Sequence, residues 1–322
     1  MMSLLKWLAL LIVSLVLLPV SPAAASPAEL LAAGRVDDAI ASLQAQLKSA
    51  PMDAASYNSL CRAYYSVQDW DSAAGACEKA VSLASNNSDY HLWLGRVYGE
   101  KADRANPLSA ASLAKKVKNQ FETAVSLNPD NADARTDLGE FYLYAPFIMG
   151  GGAGKARSQA AALAKISPAS SHYLYARIAE KDKDLVKAEN EYRAAIGASN
   201  GNGNAWLNLA LFYRHMNRFD EMEQAIQRAV EAPAGRNEVV VECAELLVRA
   251  GRNTSLAAQL VRRYLSSNAP SEKSPVFRAH YVLGTALEKQ GDKQGAAREY
   301  RASLALASNF YPAKDALSRI SR

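Results

Sequence analysis

Residues 91–98 read HLWLGRVY, a stretch in which the small residue Gly95 is followed three positions later by Tyr98. The same pair of small residue and tyrosine recurs along the chain. Its other copies are Cys61 with Tyr64, Gly139 with Tyr142, and Ala210 with Tyr213. The interval from Cys61 to Gly95 is 34 residues. A repeat of that length indicates stacked helical hairpins, in which each unit buries its apolar face against its neighbours.

Small residues, prolines and glycines divide these hairpins consistently. The second helices carry small residues at matching places, which let neighbouring helices approach closely. These are Ala73 and Ala80, Ala188 and Ala195, and Ala296 with Ser303. Pro51, Pro129 and Pro168 fall at joints between hairpins, where proline breaks no helix. Gly34, Gly251 and Gly291 stand at turns within hairpins, where a helix ends. The sequence therefore predicts an all-α protein.

The chain resembles the tetratricopeptide repeat (TPR) family. The residues that carry the resemblance are Leu94-Gly95, Tyr98, Phe121, Ala124 and Pro129, then Trp206, Leu209-Ala210, Tyr213 and Ala229, and Leu283-Gly284 with Gly291, Ala296 and Tyr300. The resemblance implies a right-handed superhelical solenoid of about eight helix-turn-helix hairpins, beginning near residues 27, 54, 88, 132, 169, 203, 237 and 277. A capping helix is expected at about 311–321.

Three departures from the repeat are visible. About ten extra residues lie around Asp103 to Ser112, and about five around Pro146 to Gly154. The second insertion is rich in glycine, but Ala156 stands where a phosphate-binding loop needs serine or threonine, and no strand precedes it. We therefore interpret it as a turn. In hairpin seven, Leu256 and Arg263 replace small residues, so weak packing is expected there.

The first 25 residues form a separate unit. Lys6 precedes the apolar run from Trp7 to Leu18, and Ala23-Ala24-Ala25 follows as a cleavage site. This succession predicts a signal peptide at residues 1–25, a TPR domain at 26–322, and an exported protein, periplasmic or secreted. The run is shorter than the roughly 20 residues that span a bilayer, so no stable membrane insertion is expected after cleavage.

The balance of charges bears on the possible partners. The chain carries 37 basic and 32 acidic side chains, a net charge of +5, and the charges are interspersed as on solvated helical faces. That balance does not indicate nucleic-acid binding.

Export permits one disulfide among Cys61, Cys77 and Cys243. Cys61 and Cys77 fall on the two helices of one hairpin, where they are either bridged or two small core residues.

No arrangement of residues indicates catalysis, a cofactor or a metal. The four histidines, His91, His172, His215 and His280, fall on separate hairpins without metal-ligand spacing. No nucleophile elbow or Ser-His-Asp context accompanies them. We expect these histidines to be solvated or packed within hairpins.

The TPR resemblance implies a concave groove lined by the first helices, which holds a protein or peptide partner. The residues predicted to line it are Asn58, Arg62, Tyr65, Trp93, Arg96, Tyr173, Arg177, Asn208, Arg214 and His215. Arginine and aromatic side chains are common anchors of interfaces, and Trp93 is expected to be exposed. The lysine and asparagine pattern of a carboxylate clamp is missing, so capture of a C-terminal carboxylate is not expected.

The leading hypothesis is an exported, non-enzymatic TPR adaptor or scaffold, with envelope assembly as a process it would serve. Two alternatives stay open. One is an accessory subunit or cryptic enzyme of a secreted complex, which turnover by the purified chain would favour. The other is a structural envelope protein, which salt-insensitive association with cell-wall material would favour. The partner and the oligomeric state are not specified by the sequence.

Overall fold

The computed structural model describes residues 25–267 and 269–321, so the predicted signal peptide lies outside the described residues except for Ala25. Within these ranges the chain forms seventeen α-helices and one 3-10 turn, η1. In chain order they are α1 (Pro27–Ala32), α2 (Val36–Ser49), α3 (Ala54–Ser66), α4 (Trp70–Leu83), α5 (Ser88–Ala102), α6 (Pro107–Leu127), α7 (Ala132–Tyr144), η1 (Phe147–Met149), α8 (Ala153–Ile166), α9 (Pro168–Lys181), α10 (Leu185–Ala198), α11 (Gly203–His215), α12 (Phe219–Glu231), α13 (Arg236–Arg249), α14 (Thr254–Leu265), α15 (Val276–Lys289), α16 (Lys293–Leu306) and α17 (Tyr311–Ile320).

The helices are stacked as pairs, as the sequence predicts. Each odd-numbered helix from α1 to α15 packs against the next helix in the chain, and α17 closes the array against α16. Consecutive first helices also contact each other, from α3 with α5 through α13 with α15. Along the array, a second helix contacts the first helices of its own pair and of the next pair. The first helices therefore line the inner face of a solenoid, and the second helices form its outer face.

Three of the recurring tyrosines, Tyr98, Tyr142 and Tyr213, bond to the pair before their own. The hydroxyl of Tyr98 donates a hydrogen bond to Glu78 Oε1 at 2.7 Å, and that of Tyr142 donates to Glu122 Oε1 at 2.7 Å. In each case the carboxylate belongs to the second helix of the preceding pair. Both tyrosine rings are buried. The repeated tyrosine thus combines apolar burial with a directed hydrogen bond, which adds about 1 kcal/mol at each junction.

Small residues lie where the helices touch most closely. Ala73, Ala80 and Ala188 are fully buried on the second helices, as predicted. Gly95 lies directly against the ring of Phe121, so that a methyl group at this position would overlap the ring. Close packing of this kind explains why a small residue precedes each repeated tyrosine.

Two of the departures from the repeat have structural explanations. The extra residues near Asp103 lengthen a helix: α6 spans 21 residues and begins at Pro107, with Asn106 capping it by accepting from Ser109 N at 3.0 Å. The expected weakness of hairpin seven is wrong. Ala257 and Ala258 are buried in α14, so the small residues are present, shifted along the helix from Leu256.

Cys61 and Cys77 form a disulfide between α3 and α4, with their Cα atoms 5.2 Å apart. Both residues are fully buried. The remaining cysteine, Cys243, is buried in α13, and burial raises the pKa of its thiol. The sequence leaves open whether Cys61 and Cys77 are bridged or are two small core residues, and the structure shows the bridge.

The two ends of the array meet, which the sequence did not predict. Leu30, Leu31 and Val67 share one apolar core with Phe277 and Phe310. We call this contact the seam. It brings the turns of the first two pairs against the joints that flank the last pair.

Polar contacts run along the same seam. Asp37 Oδ2 accepts a hydrogen bond from Ser308 N at 2.8 Å, and Arg62 pairs with Glu272. Gly34, with φ +69°, lies so close to α15 that a Cβ there would be 2.5 Å from Val276 N. The array therefore closes on itself, and the inner face is enclosed along its circumference.

Candidate functional site: the inner groove

Four of the predicted groove residues lie together on α3 and α5, and we call them the Trp93 cluster: Arg62, Tyr65, Trp93 and Arg96. The guanidinium carbons of Arg62 and Arg96 each lie 5.1 Å from the centre of the Trp93 ring. The Tyr65 ring meets Trp93 edge to face, with 5.5 Å between centroids. These neighbours leave Trp93 half-buried, so the expected exposed tryptophan is wrong.

The arginines of this cluster are held by carboxylates of neighbouring elements. Arg96 Nε lies 2.6 Å from Asp137 Oδ2, and Arg96 Nη2 lies 3.4 Å from Asp133 Oδ2, both on α7. Arg62 Nη2 lies 2.5 Å from Glu272 Oε2 across the seam. Burial raises the pKa of Asp137, and the neighbouring Arg96 offsets this only in part. The cluster is therefore a preformed surface whose positive charges are already neutralised.

The same arrangement continues on α7 and α9. Arg177 Nε lies 3.2 Å from Glu140 Oε1, and Arg177 Nη1 lies 3.2 Å from Glu180 Oε2. The hydroxyl of Tyr173 donates to Glu140 Oε1 at 2.7 Å, and burial raises the pKa of that hydroxyl well above its usual value. Arg177 also lies 5.3 Å from the ring centre of Tyr144. Charged side chains thus bridge successive first helices along the groove.

Beyond Arg177 the groove opens into a cavity of about 300 Å³ between the starts of α7, α9 and α11. Its polar lining residues are Asp133, Thr136, Asp137, Ser170, Tyr173, Ser199, Asn202, Asn204 and Asn208. Asn208 is half-buried. The amide of Asn204 donates to Asn202 Oδ1 and Glu238 Oε2, whereas no hydrogen bond among the described residues uses the amide of Asn208. The cavity therefore presents one amide with both its donor and its acceptor available.

The remaining predicted groove residues are Asn58, Arg214 and His215, and His215 reaches the ion pairs of Arg177 through Glu180. Asn58 is buried at 8% exposure, and its Oδ1 has no hydrogen-bond partner within the described part of the chain. It is therefore wrong as a groove-lining residue, since it packs in the core around α3. Arg214 and His215 lie at the far end of α11, where His215 Nδ1 is 3.4 Å from Glu180 Oε1.

The three other histidines pack within their own pairs. The ring Nδ1 of His91 lies 2.6 Å from Gln120 Oε1, that of His172 2.8 Å from Glu191 Oε2, and that of His280 2.7 Å from Glu299 Oε2. Across the described residues, no three histidine, cysteine or acidic side chains converge as a metal site would require.

Two groove residues on α7, Asp137 and Glu140, are not among the predicted ones. Asp137 precedes Gly139 by two positions, as Trp93 precedes Gly95, and Glu140 follows Gly139 directly, as Arg96 follows Gly95. Applying the repeat register to this hairpin would have placed both on the groove. Asp137 and Glu140 are acidic, whereas the predicted residues include arginines, so the charged side chains of the groove form ion pairs with one another.

Family models match three segments of the chain. Models described as tetratricopeptide repeat match residues 29–90 and 244–309, and residues 203–234. The chain belongs to the tetratricopeptide repeat family. The stacked pairs of α1 to α16 and the small-residue and tyrosine register agree with that membership. Residues 91–202 fall between the matched segments, so the number of repeats in this TPR protein stays a prediction.

One solved structure shows the same fold at low sequence identity, and a second aligns more weakly. Yeast Tom70 aligns with a TM-score of 0.54 and 15% identity over 89% of this chain. This TPR chain spans only 58% of the length of that protein. A protein from Thermus thermophilus, described as a thermophilic TPR protein, aligns with a TM-score of 0.45 and 18% identity over 69% of this chain and 95% of that one. No curated protein sequence matches the chain.

Proposed function

We propose that this protein is an exported, non-enzymatic TPR adaptor that holds an extended segment of a partner protein in its inner groove. The TPR solenoid is a scaffold for protein–protein interaction. The observation that carries the finer proposal is the polar cavity beside Tyr173, where Asn208 offers an unused amide. A peptide backbone presents one donor and one acceptor per residue, which an asparagine amide complements.

The ion pairs along the groove support this function by fixing its walls. Arg96 with Asp137, and Arg177 with Glu140, join successive first helices across each junction. A preformed groove loses less conformational entropy on binding than a flexible one. The half-buried Trp93 adds an apolar and planar surface next to these pairs, suited to packing against a partner's side chains.

The groove can be tested with a displayed library of short unstructured peptides, selected against residues 26–322. A peptide selected on the wild-type chain should bind about tenfold more weakly to Asn208→Ala, because the amide contact to its backbone is lost. Asn119→Ala is the matched control, since Asn119 is an exposed asparagine on the outer helix α6 and should leave affinity unchanged.

Equal affinity of both variants and the wild type would contradict the proposal. Circular dichroism of each variant excludes unfolding as the cause of a loss. A joint substitution of Arg62, Trp93 and Arg96 is less suitable than a single one, because Arg62 and Arg96 also bridge neighbouring elements.

Export is supported by the charged, apolar and small-residue succession before Ser26 and by the disulfide of Cys61 with Cys77. Disulfides persist in oxidising compartments and are rare in the cytosol. Mass spectrometry of the mature chain should find Ser26 at the N-terminus. A chain that retains residues 1–25 in the cytosolic fraction would contradict export and leave the groove proposal to be tested by itself.

A further inference from the structure

The glycine-rich turn between α7 and α8 presents two adjacent apolar side chains to solvent. Phe147 and Ile148 in η1 are each 88% exposed. We call residues 146–150 the Phe147 tip. The turn is built by backbone hydrogen bonds: Gly150 N donates to Phe147 O at 2.8 Å, and Gly152 N donates to Tyr142 O at 2.7 Å. The two apolar side chains are therefore held outward by an ordered turn.

Lysines flank this tip, and Glu122, at the base of the turn, accepts a hydrogen bond from the hydroxyl of Tyr142. The turn packs against α6, and the side chain of Lys118 lies beside Gly150. Lys155 Nζ donates to Gly150 O at 2.9 Å. The sequence between Asp103 and Glu122 contains no acidic residue, and neither does the sequence between Glu140 and Glu180. The even mixing of charges expected from the sequence fails in these two stretches.

The lysines near the tip have no structural partner of opposite charge. Lys118 and Lys155 lie beside Gly150, and Lys115 is exposed on α6 one helical turn before Lys118. None of the ion pairs found among residues 25–267 and 269–321 includes these three lysines. Lys116 is directed elsewhere, because its Nζ lies 4.9 Å from the ring centre of Tyr98 on α5. This contrasts with the arginines of the groove, which are paired with carboxylates.

A second exposed apolar pair in the same molecule has different surroundings. Leu185 and Val186, at the start of α10, are 42% and 76% exposed. Acidic residues flank them at Asp182, Asp184 and Glu189. Charges of both signs therefore lie close in sequence to Leu185 and Val186, and this pair serves as an internal reference for the Phe147 tip.

We propose that the Phe147 tip docks on the surface of a bilayer that contains anionic lipids. Phe147 and Ile148 enter the boundary between headgroups and acyl chains, while the lysines of α6 and α8 meet the lipid phosphates. Apolar side chains flanked by lysines are the combination that binds such an interface. No helix within the described residues is long and apolar enough to cross a bilayer, so the contact is peripheral.

The combination favours a lipid surface over the two other classes of partner. Nucleic acid would use the lysines but gains little from an isoleucine that cannot stack on bases. A protein partner is distinguished by the experiment below, because binding to a protein would not require anionic lipid. The tip packs against the outer helix α6, whereas the groove is formed by first helices, so both surfaces can be occupied together.

The test is co-sedimentation of residues 26–322, which contain the whole described structure except Ala25, with vesicles. Vesicles of phosphatidylcholine with phosphatidylglycerol should bind the chain, and vesicles of phosphatidylcholine alone should bind it far more weakly. The double variant Phe147→Ser with Ile148→Ser should reduce partitioning roughly tenfold or more. Lys115→Gln with Lys118→Gln should also reduce it and make the remaining partitioning less sensitive to salt.

The matched control is Leu185→Ser with Val186→Ser, which removes the reference pair and should leave partitioning unchanged. A second measurement uses Phe147→Trp, whose emission should shift to shorter wavelength when anionic vesicles are added. Equal partitioning onto both kinds of vesicle, or no change in the tip variant, would overturn the proposal. Binding of a DNA duplex that depends on the lysines, without vesicle binding, would overturn it in favour of nucleic acid.

Discussion

The inner groove and the outer surface of α6 use charge in different ways. On the inner face, Arg96 and Arg177 each reach carboxylates of a neighbouring first helix, at 2.6 and 3.2 Å. On the outer face, Lys115 and Lys116 are exposed on α6 and take part in none of the ion pairs within the described residues. Charges that bridge pairs belong to the architecture, whereas unbridged charges are available to something outside the molecule.

A groove rich in arginine need not attract acidic ligands. Each guanidinium in the Trp93 cluster already has a carboxylate, so a partner's acidic residue would have to displace Asp137 or Glu272. Desolvating an existing pair to form a new one yields little net gain. Specificity in this groove is therefore expected to come from hydrogen bonds to the peptide backbone and from apolar packing.

The largest effect is expected from breaking a bridging pair on the inner face. Asp137→Ala should lower the free energy of unfolding by about 3 kcal/mol, because it leaves the guanidinium of Arg96 partly buried without its closest partner. Arg157→Ala is the control: Arg157 pairs with Asp182, but both side chains are about half exposed, at 52% and 49%. Its cost should stay below about 0.5 kcal/mol. Urea denaturation measures both, and equal costs would remove the distinction between the partly buried pairs of the groove and the exposed pairs outside it.

The second prediction tests whether the contacts across the seam stabilise the protein. Gly34→Ala should cost about 2 kcal/mol more than Gly251→Ala, because both glycines have positive φ, at +69° and +66°, but only Gly34 lies against another element. Hydrogen exchange in α1 and α2 should accelerate in the first variant only. If both variants behaved alike, the closure of the array would not contribute to stability.

A smaller effect concerns a bridging carboxylate and pH. Burial alone would raise the pKa of Glu189, but hydrogen bonds from Arg218, Tyr213 and Arg193 outweigh it and lower the pKa below the usual 4.5. A lowered pKa stabilises the fold above pH 4.5, and this stabilisation is lost as pH falls through the folded-state value. Glu189→Gln should therefore cost about 1 kcal/mol at neutral pH. The gap to wild type should narrow in acid, and a gap independent of pH would contradict this assignment.

The smallest effect is expected on the outer face. Lys115→Ala should change the free energy of unfolding by less than about 0.5 kcal/mol, because the exposed ammonium of Lys115 forms no ion pair within the described residues. Thermal denaturation checks this. A loss as large as that of Asp137→Ala would mean that the outer lysines are structural, which would weaken the case for a lipid surface.

Much of the fold was predictable because it depends on residues close in sequence. Gly95, Tyr98 and Phe121 determine one hairpin through helix periodicity and local packing, and the repeat carries the same information to the others. The Trp93 cluster was predictable for the same reason, since matching positions of adjacent repeats lie side by side.

The seam, the carboxylate partners and the tip depend on information of another kind. Whether Gly34 meets Val276 depends on small rotations between pairs, added over the whole array, which no local pattern contains. The half-buried state of Trp93 depends on neighbouring side chains, not on helix position alone. The exposure of Phe147 and Ile148 depends on the path of a glycine-rich turn, where the repeat gives no register.

If the inner groove holds a segment of another protein, site-specific photo-crosslinking in the producing cell will capture that segment. A benzophenone amino acid placed at Asn208, inside the cavity, should form a covalent adduct with a protein after illumination. The same amino acid at Asn119, on the outer helix α6, should not form that adduct. An adduct formed at Asn119 and not at Asn208, or at neither position, would contradict the account.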